Sequence, residues 1–470
     1  MTSTTHPLLG TAERSHEVNR TLADEFLAFF SFVLAGYAIG SKGFSYLGVS
    51  PVYIGEVSLL FGLLALWHTH TIRHLVRSTI VRLLVVFMLF GAARTIPFFS
   101  EYGILALRDA VLWGYGLFSI AVAGMILSRP ARLTVLVGRY RRFVPVFLVA
   151  APVLWLTTLV LDNLPRWFGV TMPTWPGTEV PLILVKASDM LVHLSGVAAF
   201  MCLGFAGESR TWRNVLLIIG VALSGMNRGG LLAFSLAFAV ILAVRPRSRG
   251  SWQVVTTVLV TIALLGVTGL RLRFPGSDRE VSFEQLIVHA HSLTGASTVA
   301  PSATAGAAQD LENTKEWRLA WWAVIASYTI GGEYRWGGKG YGVNLANDDG
   351  FQTSDDDSLR SPHNVNMTVL ARSGVIGLAL WLLLQGTWVI RIWRALRDAR
   401  RRGHTQWHAL FGFLLAYWLA LLVTGTFDVF LEGPAGGIWF WTVFGVGIAA
   451  EMVYRSGETA APSWLPAVPE

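Results

Sequence analysis

The chain has 470 residues, 53% of them hydrophobic and only 14% charged, with a mean hydropathy of +0.52. A soluble domain carries about 25% charged residues, so this composition excludes a soluble globular enzyme and points to a polytopic membrane protein. The formal charge of +8 rests on 33 Arg and 4 Lys against 29 acidic residues; in a membrane chain such an excess reports orientation, and no nucleic-acid partner is expected. The single cysteine, Cys202, lies in an apolar stretch, which rules out an intrachain disulfide and a Cys-based metal site.

Residues 1–24 are polar and lack the apolar core and cleavage site of a signal peptide, so they read as a cytoplasmic tail before an uncleaved first span. A bilayer core needs about 20 apolar residues per helix. On that rule the spans fall near 25–40, 51–67, 79–97, 103–127, 143–161, 188–206, 212–226, 229–244, 252–270, 364–390, 407–425 and 435–454. The expected fold is all-α: a polytopic bundle of about twelve transmembrane helices. Residues 25–270 hold spans 1–9 and 364–454 hold spans 10–12. Residues 271–363 form one large external loop with amphipathic helices, and 455–470, rich in Pro and Ala, read as a disordered cytoplasmic tail. With the N-terminus inside, the inner segments carry 22 Arg and the short outer loops five basic residues, Lys42, Arg94, Arg166, Lys186 and Arg228. That bias predicts both termini inside and the long loop outside.

Within the loop, 292–309 reads as a flexible small-residue stretch, and 281–290 and 312–329 as helices. Trp317, Trp321, Ile325 and Tyr328 make one apolar face, suited to lying in the headgroup plane. The run from Gly337 to Gly342 reads as a tight turn with exposed N–H groups. Asp348, Asp349 and Asp355 to Asp357 read as a solvated acidic loop, since their spacing fits no calcium loop. No metal ligand set is expected.

Ionisable residues in and beside the spans share one level: Glu56, Arg94, Arg108, Asp109, Lys186, Asp189, His193, Arg228, Asp428 and Glu432 all fall on the outer side. Charges there are rare and usually functional. Asn227-Arg228-Gly229-Gly230 breaks one helix and starts another. Asn227 can cap it, and helix-start N–H groups plus a guanidinium make an anion site to which two glycines admit a ligand. Arg318 offers a second guanidinium. In Ser361-Pro362-His363-Asn364, Ser361 is the expected cap and Pro362 the first helical residue, which puts His363 in the first turn. The helix dipole there favours a neutral imidazole, able to accept a proton from a hydroxyl.

These features resemble the O-antigen ligase and polymerase family, polytopic glycosyltransferases acting at the outer face of bacterial inner membranes. The resemblance rests on four features: Arg228-Gly229-Gly230; Arg318 with Trp321 and Trp322 in the large loop; the Gly338 and Gly340 turn; and His363-Asn364 followed by Leu370, Gly374, Ile376 and Gly377. Arg372 stands where the family often has an acid. The resemblance implies a polyprenyl-diphosphate-linked glycan donor and a glycan, glycolipid or protein acceptor, among membrane lipids. It also implies an inverting transfer with no cofactor or metal. It assigns His363 as the base and Arg228 and Arg318 to the donor diphosphate. Asn364, Gly338, Gly340, Asp189, His193 and Arg108 become substrate-binding candidates. The alternatives are a polymerase of lipid-linked repeat units and, from another class, a transporter or flippase of lipid-linked sugars, which predicts repeated halves and broken helices.

Overall fold

The structure, a computed structural model, describes residues 21–206, 211–224, 227–246, 249–269, 271–273, 280–281, 305–353 and 357–457. Its main helices, in chain order, are α1 (Leu22–Phe44), α2 (Ile54–Thr69), α3 (Thr79–Thr95), α4 (Ile104–Gly114), α5 (Gly116–Ser128), α6 (Ala131–Phe168) and α7 (Ala187–Cys202). They continue as α8 (Thr211–Ser224), α9 (Arg228–Val244), α10 (Arg249–Thr268), α11 (Ala305–Ile330), α12 (Val365–Arg401), α13 (Thr405–Phe427) and α14 (Pro434–Arg455). Two antiparallel ladders of two residues per strand are the named strands among the described residues. The protein is an all-α polytopic membrane protein.

Each of the twelve apolar stretches read from the sequence contains a helix. Among the described residues, six helices are long and apolar enough to cross a membrane, and α4 with α5, bent by 43°, makes a seventh. The remaining apolar helices, in α2, α7, α8, α9 and α10, are shorter. Two boundaries move. α6 begins at Ala131, so Arg132, Arg139, Arg141 and Arg142 ride on a helix and not on a loop. Arg132 is buried and donates to Asp24 at 2.8 Å, tying α6 to the start of α1. α12 runs on to Arg401 and carries the later arginines with it.

Small residues set the helix crossings, as membrane packing requires when lipid tails compete for apolar contact. A Cβ on Gly445 of α14 would lie 2.6 Å from the Ser119 carbonyl of α5, and one on Gly196 of α7 would lie 2.7 Å from the Tyr417 ring of α13. α13 is the hub, packed against α7, α9, α12 and α14. The end of α13 therefore brings four helices to one corner.

The loop segment departs from its sequence reading. α11 starts at Ala305, so 305–309 are helical; 292–304 and 282–290 lie outside the described residues, and Val281 pairs in a short ladder. The apolar face of α11 meets protein, not headgroups. Trp321 and Ile325 are fully buried with Leu345, Ala346, Leu370 and Ala371, and Trp321 stacks on Phe351 at 5.4 Å. Asp349 is no solvated acid either. Its side chain is 0% exposed and takes Lys339 as an ion pair, the Trp321 indole N–H at 2.7 Å and the Tyr328 hydroxyl at 3.3 Å.

Candidate functional site

The corner is built where α13 stops. Asp428 follows Phe427 in extended backbone, and its Oδ1 accepts the Val429 N–H at 2.8 Å, capping the Val429–Glu432 turn. Gly433 and Pro434 then start α14, Pro occupying a position where its missing N–H costs nothing. Three elements from distant parts of the chain converge on Phe427 and Asp428.

The first carries His363. The helix start differs from its sequence reading: Asn364, not Ser361, is the cap of α12, its Oδ1 accepting from Asn366 N at 2.9 Å and Met367 N at 3.3 Å. His363 stands before the helix in left-handed backbone with φ +54°. Such a conformation in a non-glycine residue costs about 1–3 kcal/mol and persists only where the surroundings enforce it. Here they do. Ser361 Oγ donates to Glu432 at 2.7 Å, Thr368 Oγ1 donates to the same carboxylate at 2.8 Å, and the Trp322 indole N–H donates to the Pro362 carbonyl at 2.9 Å. The segment is thus held on both sides of His363, whose Nδ1 lies 3.8 Å from Asp428 Oδ1. The buried Nδ1 has no hydrogen-bond partner within the ordinary range.

The second is Arg318 on α11. One guanidinium nitrogen donates to the Phe427 carbonyl at 3.0 Å, while its buried Nε has no protein acceptor. Burial lowers the Arg318 pKa and the Asp428 charge acts the other way; a guanidinium so placed stays charged. The third is the start of α9. Asn227 caps it, accepting from Gly230 N at 2.8 Å. The two glycines serve helix packing and not ligand approach: a Cβ on Gly229 would lie 2.8 Å from Phe427 Cβ, and one on Gly230 would lie 2.9 Å from Leu191 Cδ2. Arg228, the first residue of α9, is thereby set beside Phe427, the residue whose carbonyl holds Arg318.

Asp428 ties these parts together electrostatically. Burial pushes its carboxyl up, but the His363 imidazole, the Lys186 charge and the Val429 N–H outweigh that and hold it well below the usual carboxylate range. Burial pushes Glu432 the other way, above its ordinary value, against the hydroxyls of Ser361 and Thr368. On the far side of Asp428, Ser188 Oγ lies 3.2 Å from its Oδ2 and 3.3 Å from Asp189 Oδ1. Asp189 also receives the Ser41 hydroxyl. So His363, Arg318, the α9 start with Arg228, and Asp189 all gather around one corner, with Asn364 as the cap that sets the His363 backbone.

The remaining candidates fall elsewhere. His193 is 1% exposed; its Nδ1 meets the Tyr417 hydroxyl at 2.6 Å, and its ring lies among Phe147, Phe430 and Trp439. It sits in the aromatic core against Phe430 of the Val429–Glu432 turn, with its Nε2 buried and without a hydrogen-bond partner. Gly338 and Gly340 do not present free N–H groups: Gly338 N donates to Tyr334 O at 2.9 Å, Lys339 N to Ala371 O at 2.7 Å and Gly340 N to Arg372 O at 3.0 Å. The turn is clamped onto the kink of α12 at Gly374, and a Cβ on Gly338 would lie 2.4 Å from the Arg372 carbonyl carbon. Arg94 seals it from α3, donating to the Gly337 and Gly338 carbonyls at 2.8 and 3.1 Å. Arg372, buried to 2% exposure, pairs with Asp109 at 2.9 Å, and Arg360 reaches the same carboxylate at 3.2 Å. Arg108, next to Asp109, is exposed.

Sequence reasoning placed Asp428 in the ionisable layer without giving it a role. A signal was present: an acidic residue directly after a helix C-terminus opposes the helix dipole, so its position needs another cause. Trp322, named in the sequence only as a neighbour of Arg318 in the large loop, donates its indole N–H to the carbonyl next to His363. Among the described residues no group of three or more His, Cys, Asp or Glu is arranged to hold a metal.

Residues 214–382 match the family model described as O-Antigen ligase. The matched stretch runs from α8 through the first half of α12 and contains Arg228, Arg318 and His363, so the resemblance read from the motifs is borne out over that region. It supports a membrane glycosyltransferase-like role in polysaccharide biosynthesis, with a lipid-linked glycan donor and a glycan acceptor in the membrane. No curated protein matches the chain.

Proposed function

We propose that the corner around Phe427 and Asp428 transfers a glycan from a polyprenyl-diphosphate donor to an acceptor hydroxyl at the external face of a bacterial plasma membrane. The observation that carries this reading is the convergence of His363, Arg318 and the Arg228 helix start on two consecutive residues, Phe427 and Asp428. A proton on His363 Nδ1, directed at Asp428, leaves Nε2 as the accepting atom. The acceptor O–H gives its proton to Nε2 as its oxygen forms a bond to the anomeric carbon. The bond from that carbon to the diphosphate oxygen breaks, and its electron pair leaves with the diphosphate. Arg318 and Arg228 stabilise the charge that develops there. A single displacement of this kind inverts the anomeric centre. Trp322 and Glu432 act as positioning residues by holding the strained backbone at His363.

Ligation and polymerisation use the same chemistry and differ in the acceptor. Deletion of the gene followed by analysis of lipid-linked and surface glycans tests the reading. Accumulation of long lipid-linked polymer identifies a ligase and accumulation of single units a polymerase; unchanged glycans overturn both. The external face is tested separately by cysteine labelling. Cys202 is buried, so a cysteine at exposed Glu333 should react with a membrane-impermeant maleimide in intact cells. Reaction only after the cells are opened would put the corner on the cytosolic side.

A further inference from the structure

Arg335 and Trp336 lead into the glycine turn, and backbone contacts fix their place relative to the spans. Val375 N donates to Arg335 O at 2.7 Å, one residue past the kink of α12 at Gly374. Arg94, near the end of α3, holds the Gly337 and Gly338 carbonyls. In the connection from α3 to α4, Phe98 lies against Gly340 and Tyr102 against Gly342. Thr79–Tyr102 is long and apolar enough to cross a membrane, and the bent pair of α4 and α5 begins its own span at Ile104. Residues 335–342 are therefore docked on the rim where one span ends and the next begins.

That rim is apolar and uncovered. Trp336 is 60% exposed, Ile96 71%, Phe99 50% and Ile104 54%. The same character runs on along the spans, where Leu89 of α3, Leu107 of α4 and Leu382 of α12 are exposed as well. A single exposed apolar side chain is ordinary. Four around one turn, continuous with the outer faces of membrane spans, mark a surface that something apolar covers. The Arg335 guanidinium stands over the Trp336 ring at 4.8 Å. An aromatic ring beside a cation at the end of a span is the composition of the bilayer interface, where the ring sits among headgroups and the charge reaches water.

The rim is also joined to His363. The kink at Gly374 is sharp: the Trp381 indole N–H donates to Asn366 Oδ1 at 3.0 Å across fifteen residues of α12, a stretch that would span about 22 Å in a straight helix. The first two turns of α12 therefore fold back over its later part, with His363 at one end and the rim at the other. We infer that Arg335 and Trp336, with Ile96, Phe99 and Ile104, form a membrane anchor that enters the interfacial layer of the leaflet beside the corner. The partner is the lipid surface itself. The charges of Glu333 and Arg335 keep the anchor among headgroups and out of the acyl chains. Through Lys339 N and Gly340 N, which bond to Ala371 O and Arg372 O, the anchor sets the depth of the short helix that starts at His363. This holds whatever chemistry the corner performs.

Fluorescence quenching of the full-length protein in phosphatidylcholine nanodiscs tests this. Cys202 is buried, so an environment-sensitive fluorophore can be attached at Trp336→Cys alone. Leu382→Cys, on an exposed face of α12, serves as the reference inside the bilayer, and Asn347→Cys, exposed on the loop, as the reference in water. The label at 336 should emit at shorter wavelength than the label at 347. It should lose its emission to a nitroxide carried just below the lipid headgroup, as the label at 382 does, while iodide quenches only the label at 347. Iodide quenching at 336 equal to that at 347 would put the patch in water. Protection at 336 from both quenchers would mean that a protein covers it, a second copy of this chain included. Either result overturns the inference. The native side chain supplies a reading without labels: the emission that separates the parent from Trp336→Phe should disappear in brominated phosphatidylcholine, and its survival there would overturn the inference as well.

Discussion

Two regions of this protein look alike in sequence and differ in what their polar groups do. The glycine turn from Gly337 to Gly342 and the His363 corner each combine glycine or proline, a basic residue and a left-handed backbone. In the turn, the N–H groups of Gly338, Lys339, Gly340 and Gly342 all end on protein acceptors. The Arg94 guanidinium closes over it, and the nearby Arg372 is spent on Asp109. At the corner, His363 Nδ1 faces the Asp428 carboxylate at 3.8 Å, beyond hydrogen-bond range, and the buried Arg318 Nε has no protein acceptor. Buried polar groups are nearly always satisfied, so the spare Arg318 Nε, aimed at a corner that also holds His363, is an exception that needs an explanation. The backbone N–H accounting, more than residue type, marks the glycine turn as scaffold.

The largest way to break that comparison is His363→Ala. General-base catalysis is worth roughly 10²–10⁴-fold, so transfer by the reconstituted protein should fall on that order. His363 makes no short hydrogen bond, so the melting temperature in detergent should stay put. A variant that melts early and loses activity in proportion would return His363 to the scaffold.

Arg372→Met probes the other region. Removing one partner of a buried ion pair leaves the other charge uncompensated, at a cost of about 3–5 kcal/mol. Arg360 and the Gly342 N–H still serve Asp109, which favours the lower end. The melting temperature should drop sharply, while the activity of molecules that remain folded stays close to the parent. Full stability with lost activity would instead move Arg372 into the site.

The helix positions were legible because apolar length is a property of the chain alone, and every expected span contains a helix. What buries a helix face is not such a property. The Trp317, Trp321, Ile325 and Tyr328 stripe was visible, but its partners, Leu370 and Phe351, are set by tertiary contacts, so protein took the place assigned to headgroups. Asp349 looked solvated because Lys339, Trp321 and Tyr328 reach it only through the folded loop. Glycine likewise signals a close approach without naming what approaches. At Gly229 it is Phe427, and at Gly338 it is the backbone of α12. His363 and Arg318 were legible as residue types; that Asp428 unites them was not, since 65 residues separate His363 from it in sequence.

Asp428→Asn sharpens the comparison from inside the site. Asp428 Oδ1 stands 3.8 Å from His363 Nδ1, and an opposite charge at that range favours the protonated imidazole by a factor of about 10 to 100, so transfer should fall about 10- to 100-fold, measured as kcat with the acceptor saturating. Asp428 is held below the ordinary carboxylate range. Its contribution is therefore complete above the unfolded pKa of about 4 and is lost only as pH falls through the lower folded value. Between pH 5 and 8 the parent should show no activity change that traces to Asp428 protonation. A parent acid limb in that window that vanishes in the Asn variant would contradict this.

The smallest expected effect belongs to Trp322→Phe. The ring is kept and only the indole N–H is removed, the group that donates to the Pro362 carbonyl at 2.9 Å. A neutral hydrogen bond contributes about 0.5–1.5 kcal/mol, so the loss should be about two- to tenfold in kcat, with KM for donor and acceptor hardly moved. The reason lies in the backbone: with φ at +54°, His363 stays in a costly conformation only while its neighbours enforce it, and Trp322 holds one side as Ser361 and Glu432 hold the other. Combining Trp322→Phe with Ser361→Ala should therefore cost more than the two changes added separately, since each alone leaves the other restraint in place. Simple additivity would mean that the left-handed turn is kept by something other than these two bonds.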